Sequence, residues 1–535
     1  MPQKTPIMTK QLLLSVALAV AVCATAKAQS LDETMTVSAG TAVSIAASTT
    51  LNAAEVNLKS TSDQYACLLL NGFIGASTIV NYDRYVNIVG SSGQNGGNDL
   101  ISLPVKSDSN ATFADMLTYS PDLGATPNSN VIVHSPTVNT LYAFGPYDNV
   151  NHTYINYDSA INGTVVLNKG VGYRAAATGS GQTLRFTGKV SNATETVAIS
   201  TGANYWNLVG NPNPTYINSQ AFLVENKLVL DPNALAIYGY NSGTVSGAGT
   251  IGNFTIINYA TNTSVNIAPG QGFFVANANG VVHQLNFTTA MRTIEGTDDF
   301  ILGRTEDQNH RLRLKAEHGT THFATELYLN ANSTLGLDPG YDAELFGGSA
   351  YSFSFYSQLS ENNAGRNMAM QSIGLTNLND VVIPLGLKTA QGQQVTISIE
   401  DSTLPSDVDV YLEDNQNNSF TLLNTNNYSF TPNTAISGTG RFFLRFADTT
   451  LSTIKEDSSS LQLYANTQTL FINGLLLAKT KVEVYDVQGR LVLTSYLQEG
   501  SEANQIDASS FKSGVYIVNL INDKQVQTKK VIIQY

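Results

Sequence analysis

No segment of this 535-residue chain keeps a 3.6-residue apolar period over three helical turns. Short runs of alternating apolar and polar residues take its place, such as EVNLKS (55–60), RLRLKAEH (311–318), QVTISIE (394–400) and KVEVYD (481–486). Gly, Asn, Asp or Pro follow close behind most of them. A period of two places successive side chains on opposite faces of a strand, and Gly and Asn tolerate the positive φ of tight turns. The pattern predicts an all-β protein of tandem β-sandwich or jelly-roll-like domains. Only TFADML (112–117) and NSQAFLVEN (218–226) suit a helical turn or two.

Residues 1–28 read as a signal peptide: Lys4 and Lys10, an apolar run from Leu12 to Val22, then Ala26-Lys27-Ala28 before Gln29. Cys23 has a poor context for lipid attachment, and no later segment is apolar enough to span a bilayer. Cleavage would remove three lysines and no acid, moving the net charge from −13 to −16. Such a balance disfavours nucleic acid, whose phosphates need a basic surface. Cys67 would be the one remaining cysteine, which excludes an intramolecular disulfide and reads as a small buried hydrophobe.

Beyond it, residues 29–82 carry strand-like pieces about every ten residues. That rhythm is compatible with a few rungs of a β-solenoid or with a β-rich cap. Then the chain repeats itself over 83–200 and 201–300. RYVNIVG (84–90) is answered by NYWNLVG (204–210), LYAFGPY (141–147) by LAIYGYN (235–241), and VLNKGVGYRAA (166–176) by NIAPGQGFFVA (266–276). The glycine pairs Gly170/Gly172 and Gly270/Gly272 lack the helix and Lys-Ser/Thr of a phosphate loop, and read as turns. Residues 301–447 form a further strand series, expected to be a β-sandwich, and 448–460 is a polar linker. The last unit, 461–535, holds seven basic and six acidic side chains, unlike the acidic body before it.

Within that last unit stand Val484-Tyr485-Asp486, Gly489-Arg490, Val492, Asp507, Gly514-Val515-Tyr516 and Lys529-Lys530-Val531, in that order up to the C-terminus. In this set the tail resembles the type A C-terminal sorting domain of type IX secretion substrates. The resemblance implies a small C-terminal β-sandwich read by an outer-membrane secretion translocon. It also implies a secreted product, or one attached to surface lipopolysaccharide on the outer face of a Gram-negative cell. STLGLDPGYDAELFGG, VVIPLG, VYLED and FFLRF are similar to a β-module that often precedes such tails. Asp158-Ser159, Asp401-Ser402 and Asp448-Thr449 resemble the O-glycosylation acceptors of bacteria using this route, which makes Ser159, Ser402 and Thr449 candidates.

Chemistry is harder to find. Of six histidines only His318 and His322 are close, and Gly319 between them argues for a hairpin or strand. Along one strand they would stand about 13 Å apart, too far for one ion. TGSGQ (178–182) lacks the helix of a nucleophile elbow. Glu317 with Glu326, or Glu400 with Asp401, are conceivable acid pairs for glycoside hydrolysis. Asp338 and Asp342 flank a Pro-Gly turn with Glu344 beyond, a candidate calcium loop or a plain Asx turn. Trp206 is the one tryptophan that a glycan-stacking surface could use.

The sequence thus predicts a non-enzymatic, exported surface protein of adhesive, structural or interaction role, with no cofactor. A polysaccharide-binding or hydrolysing protein, with extracellular glycans as partners, and a calcium-stabilised interaction module are the alternatives.

Overall fold

The computed structural model describes residues 34–86, 99–106, 112–119, 127–178, 182–201, 205–240, 254–260, 265–278, 280–296, 310–331, 333–347, 352–374, 378, 381–448, 462–466, 469–473, 476, 478–501, 503–523 and 526–533. The expected signal peptide, Thr449, the linker after Asp448 and most of TGSGQ lie outside them. Among the described residues no helix is long and apolar enough to cross a membrane. Strands dominate throughout, as the alternation requires.

The N-terminal rhythm becomes stacked parallel strands. Thr34–Val37 pairs with Glu55–Leu58, and that with Ile79–Val86, all in parallel. Ala42–Ile45 lies on Cys67–Leu70 and Thr50–Leu51 on Phe73–Ile74 in the same sense. Parallel neighbours at successive rungs define a short solenoid. Its inward Val37, Val56, Leu58 and Val80 share one core with Phe113, Phe144, Tyr173 and Phe186 of the next unit. The expected boundary at 82/83 falls inside Ile79–Val86, which pairs with Gln182–Gly188 on its other edge. Solenoid and first unit therefore have a strand in common.

The two middle segments interlock reciprocally. Ser102 N donates to Gly270 O at 2.8 Å, and Gly210 N donates to Gly170 O at 2.9 Å. Isolated bridges join Ile101 to Gln271 and Val171 to Val209. This explains the glycine pairs: a Cβ on Gly172 would lie 2.5 Å from the Leu208 side chain, and one on Gly272 2.6 Å from the Leu100 carbonyl carbon. Strands follow both pairs, Tyr173–Ala175 and Gly272–Ala276. The register corrects one sequence match. Tyr173 lies opposite Ile101 and Phe273 opposite Val209, so DLI (99–101) holds the place that similarity gave to RYVNIVG. Both runs alternate alike, and local alternation does not choose a partner. Likewise Glu195–Ile199, grouped with the first unit by sequence, pairs with His283–Phe287 of the second. The two short helices form at Phe113–Thr118, with Thr112 and Asp115 closing a capping box, and at Ser219–Asn226, capped by Asn218.

An eleven-stranded sheet follows. Its path runs from Ser419–Leu422 and Val408–Asp414 through Ile436–Asp448, Val382–Thr389, Ser354–Ser357 and Met368–Ile373 to the hairpin Thr321–Leu329/His310–His318, then Val395–Ser402 and Tyr428–Phe430. The two ends meet: Tyr428 hydroxyl bonds to Asp414, and Arg441 lies 4.4 Å from the centroid of the Phe430 ring. One core gathers Phe430, Val410, Leu444, Ile383, Phe355 and Leu314, so the sheet curls over itself as a sandwich. Each fully buried aliphatic or phenyl side chain there contributes about 1.5–3 kcal/mol.

The middle segments and the sandwich are welded by a second apolar cluster. Leu100, Trp206, Tyr238 and Phe274 from the former pack with Tyr328, Ala343 and Met370 from the latter, with Phe346 partly buried against them. Finally, Gln462–Asn466, Thr469–Asn473 and Ala503–Asp507 form a small sheet, and Leu491–Leu497, Thr480–Asp486, Gly514–Ile521 and Val526–Ile533 a second. Leu470, Ile472, Val482, Val484, Val518 and Val531 fill a core built only from tail residues. The tail is a two-sheet unit with its own interior.

Candidate functional site

The tail sequence divides into groups that make the fold and groups that the fold presents. Thr480–Asp486 alternates strictly: Val482 and Val484 point into the core, while Lys481, Glu483 and Tyr485 share the outer face. Tyr485 hydroxyl donates to Glu483 Oε2 at 2.7 Å, and Lys481 pairs with the same carboxylate. The strand then reverses through Asp486–Arg490. Asp486 Oδ1 accepts from Gln488 N at 2.9 Å and Arg490 N at 3.0 Å, and its Oδ2 accepts from Arg490 Nε at 2.7 Å. The Arg490 backbone N–H, with the guanidinium and Gln488 N–H, holds the Asp486 carboxyl below the usual range. Gly489 sits at φ +78°, the left-handed position that closes such a loop. Asp486, Gly489 and Arg490 therefore build the hairpin.

Tyr516 is also structural, 7% exposed, stacked on Phe511 at 5.1 Å, its hydroxyl donating to Lys512 O. Asp507 accepts from Ser509 N at the end of its strand. A Cβ on Gly514 would meet Lys512 O at 3.8 Å and the Tyr516 ring at 4.0 Å, ordinary contact distances. Lys529 and Lys530 point to opposite faces: Lys529 is in phase with buried Val531, and Lys530 lies opposite Ile517 on the outer face. Both are exposed.

The outer face holds a groove of about 590 Å³ beside Tyr485 and the Asp486–Gly489 loop. Val487, Ile517, Asn519 and Thr528 complete it. Sequence reasoning missed these four; their signal was positional, as the alternate neighbours of residues it did select. The flanking strand Leu491–Leu497 exposes Leu491, Val492 and Tyr496 to solvent and has no partner on its far side within the sheet. Such a face carries Lys481, Lys530 and the rings of Tyr485 and Tyr496, and suits recognition of a protein surface.

His318 and His322 stand at a two-residue hairpin turn, with Gly319 at φ +58°; His318 lies opposite Thr321, and His322 opposite Glu317. Glu326 and Glu400 both bind Arg313, Asp401 binds Arg311, and Glu317 binds Lys315, forming a ladder of ion pairs across the sandwich. Asp342 accepts from Asp338 N and Ser372 N, both at 2.7 Å. Burial outweighs these bonds and pushes its carboxyl up to about 7. Asp338 accepts from Thr334, and Glu344 pairs with Arg366 at 2.6 Å. Among the described residues no three His, Cys, Asp or Glu side chains converge to hold a metal ion. Trp206 is 6% exposed, packed on Tyr238 and Phe346, and offers no open platform. Cys67 is buried, and burial pushes its thiol up to about 12. Ser402 is exposed at a strand end and Ser159 half-buried at the start of a helical turn.

Residues 1–446 match the model of a family described as "Domain of unknown function (DUF8693)", and residues 465–534 that of the "Secretion system C-terminal sorting domain". No curated protein matches. Among solved structures the chain is similar to one titled "Biofilm associated protein - BSP domain", at 10% identity and a TM-score of 0.17, over 85% of this chain and 95% of that one. A score that low carries no structural argument.

Proposed function

The chain belongs to the DUF8693 family and ends in a secretion system C-terminal sorting domain, and from that premise we propose an adhesive or structural role for it outside the cell. Export by the type IX route and an extracellular or cell-surface location follow from the tail. In the proposal, the signal peptide at 1–28 brings the chain across the inner membrane, and the outer face around Tyr485 and Lys530 is then read by the translocon. The body performs no catalysis; surface lipopolysaccharide and extracellular glycans are its candidate contacts.

What carries this reading is where the body places its aromatic and charged groups. Trp206, Phe274 and Phe346 join modules, and Glu326, Glu400 and Asp401 neutralise arginines, an arrangement suited to a stiff body. The test is a deletion strain compared with wild type for attachment to neighbouring cells and to surfaces, alongside the purified chain on a polysaccharide panel. Lost attachment with no release of reducing ends supports the proposal. Reducing ends released by the purified chain, or unchanged attachment, contradict it.

A further inference from the structure

Tyr464 lies on the first strand of the tail, and its neighbours Leu463 and Ala465 pack against the tail core. By the period of two, Tyr464 points away from that core. It is nevertheless only 8% exposed. Part of its cover is Phe471 on the adjacent strand, stacked at 5.1 Å and 10°. The body adds to it: the Tyr464 ring lies where a Cβ on Gly365 would stand. Gly365 has φ +75°, so the loop both needs glycine and leaves a hollow for the ring. The hollow is built. Gly365 N donates to Asn363 Oδ1 at 2.7 Å, Asn363 Nδ2 donates to Gln358 Oε1 at 3.1 Å, and Arg366 is tied to Glu344.

We propose that the sandwich carries a socket for its own export tail, with the Gly365 loop receiving Tyr464, and that the tail stays seated on the body even when the connecting chain is cut. Release of the tail would then require two events, scission of the chain and dissociation of Tyr464. The tail keeps a core of its own, so dissociation leaves it folded and opens a hollow at the Gly365 loop of the delivered body.

The test uses the full chain with a specific protease site placed between residues 449 and 461, cut to completion and passed over a sizing column at micromolar concentration. The proposal expects the tail of the otherwise unaltered chain to elute with the body. With Tyr464→Ala or Gly365→Val the co-eluting fraction should fall at least tenfold, while Tyr464→Phe retains it. The body's melting temperature, measured after cutting, should be the same in the Tyr464→Ala chain, which separates lost docking from lost folding. A tail that separates from the unaltered body, or a Tyr464→Ala tail that stays bound, overturns the proposal.

Discussion

Phe346 meets Trp206 edge to face, with ring centroids 4.8 Å apart, and it also lies 4.6 Å from the Phe274 ring. It arrives on the loop LDPGYDAELFGG, whose Gly340 accepts a hydrogen bond from Tyr259 N and whose Glu344 carbonyl accepts one from Tyr238. The loop is a wedge between the sandwich and the middle segments. Phe346→Ala should therefore lower stability by about 3 kcal/mol, in the range for truncating a packed phenyl ring. Limited proteolysis should then release the sandwich from the N-terminal part sooner than in wild type. Identical digestion rates would show that the seam does not hold the modules together.

Asp83 is buried in the first unit with two cations on it, Arg185 Nε at 2.7 Å and Lys59 Nζ at 2.6 Å. Removing Arg185 alone leaves a carboxylate without its bidentate partner in a dry site. Arg185→Met is expected to cost about 3–5 kcal/mol, and adding Asp83→Leu should recover most of that. Chemical denaturation of the single and double variants checks it.

Asp342 gives a pH signature. Its folded carboxyl titrates near 7, above the unfolded value, so between roughly pH 4 and 7 the folded state binds the extra proton. That contribution is fully present below the unfolded value and is lost as pH rises through 7, by up to about 1.4 kcal/mol per unit. Melting should thus shift downward from pH 5 to pH 8 in wild type and less so in Asp342→Asn. The variant should also be weaker throughout, because both Asp342 oxygens accept backbone N–H groups and an amide can serve only one. An equal pH dependence in both proteins would remove Asp342 from this role.

The tail separates fold from readout. Asp486→Ala removes three hydrogen bonds from the hairpin and should lower the stability of the tail by about 1–2 kcal/mol, reducing export through misfolding. Tyr485→Ala combined with Lys530→Ala touches only the outer face. It should leave the melting of the tail within about 0.5 kcal/mol of wild type and still reduce export several-fold. Normal export by the double variant would mean that this face is not the one read.

Local pattern explains how much of this was legible beforehand. Alternation placed strands such as His310–His318 and Thr480–Asp486, and the pieces recurring about every ten residues are successive short strands of rungs that return after 21 residues, from Thr34 to Glu55, and 24, from Glu55 to Ile79. Asp486 and Gly489 stood out through the resemblance, and the turn they close is built from local contacts. Partners distant in sequence were not. Phe346 on Trp206 and Tyr464 on Gly365 join segments separated by more than a hundred and by about a hundred residues, and nothing in either run names the other. The acids behaved likewise: Glu326 and Glu400 look available in sequence, and only the sheet order puts Arg313 between their strands.

The most direct measurement fractionates cells carrying the full chain against cells carrying a chain that stops at residue 460. The account predicts that the shortened protein is folded, by protease resistance, and confined to the periplasm, while the full chain is outside. Shortened protein found at the cell surface in wild-type amount would contradict it.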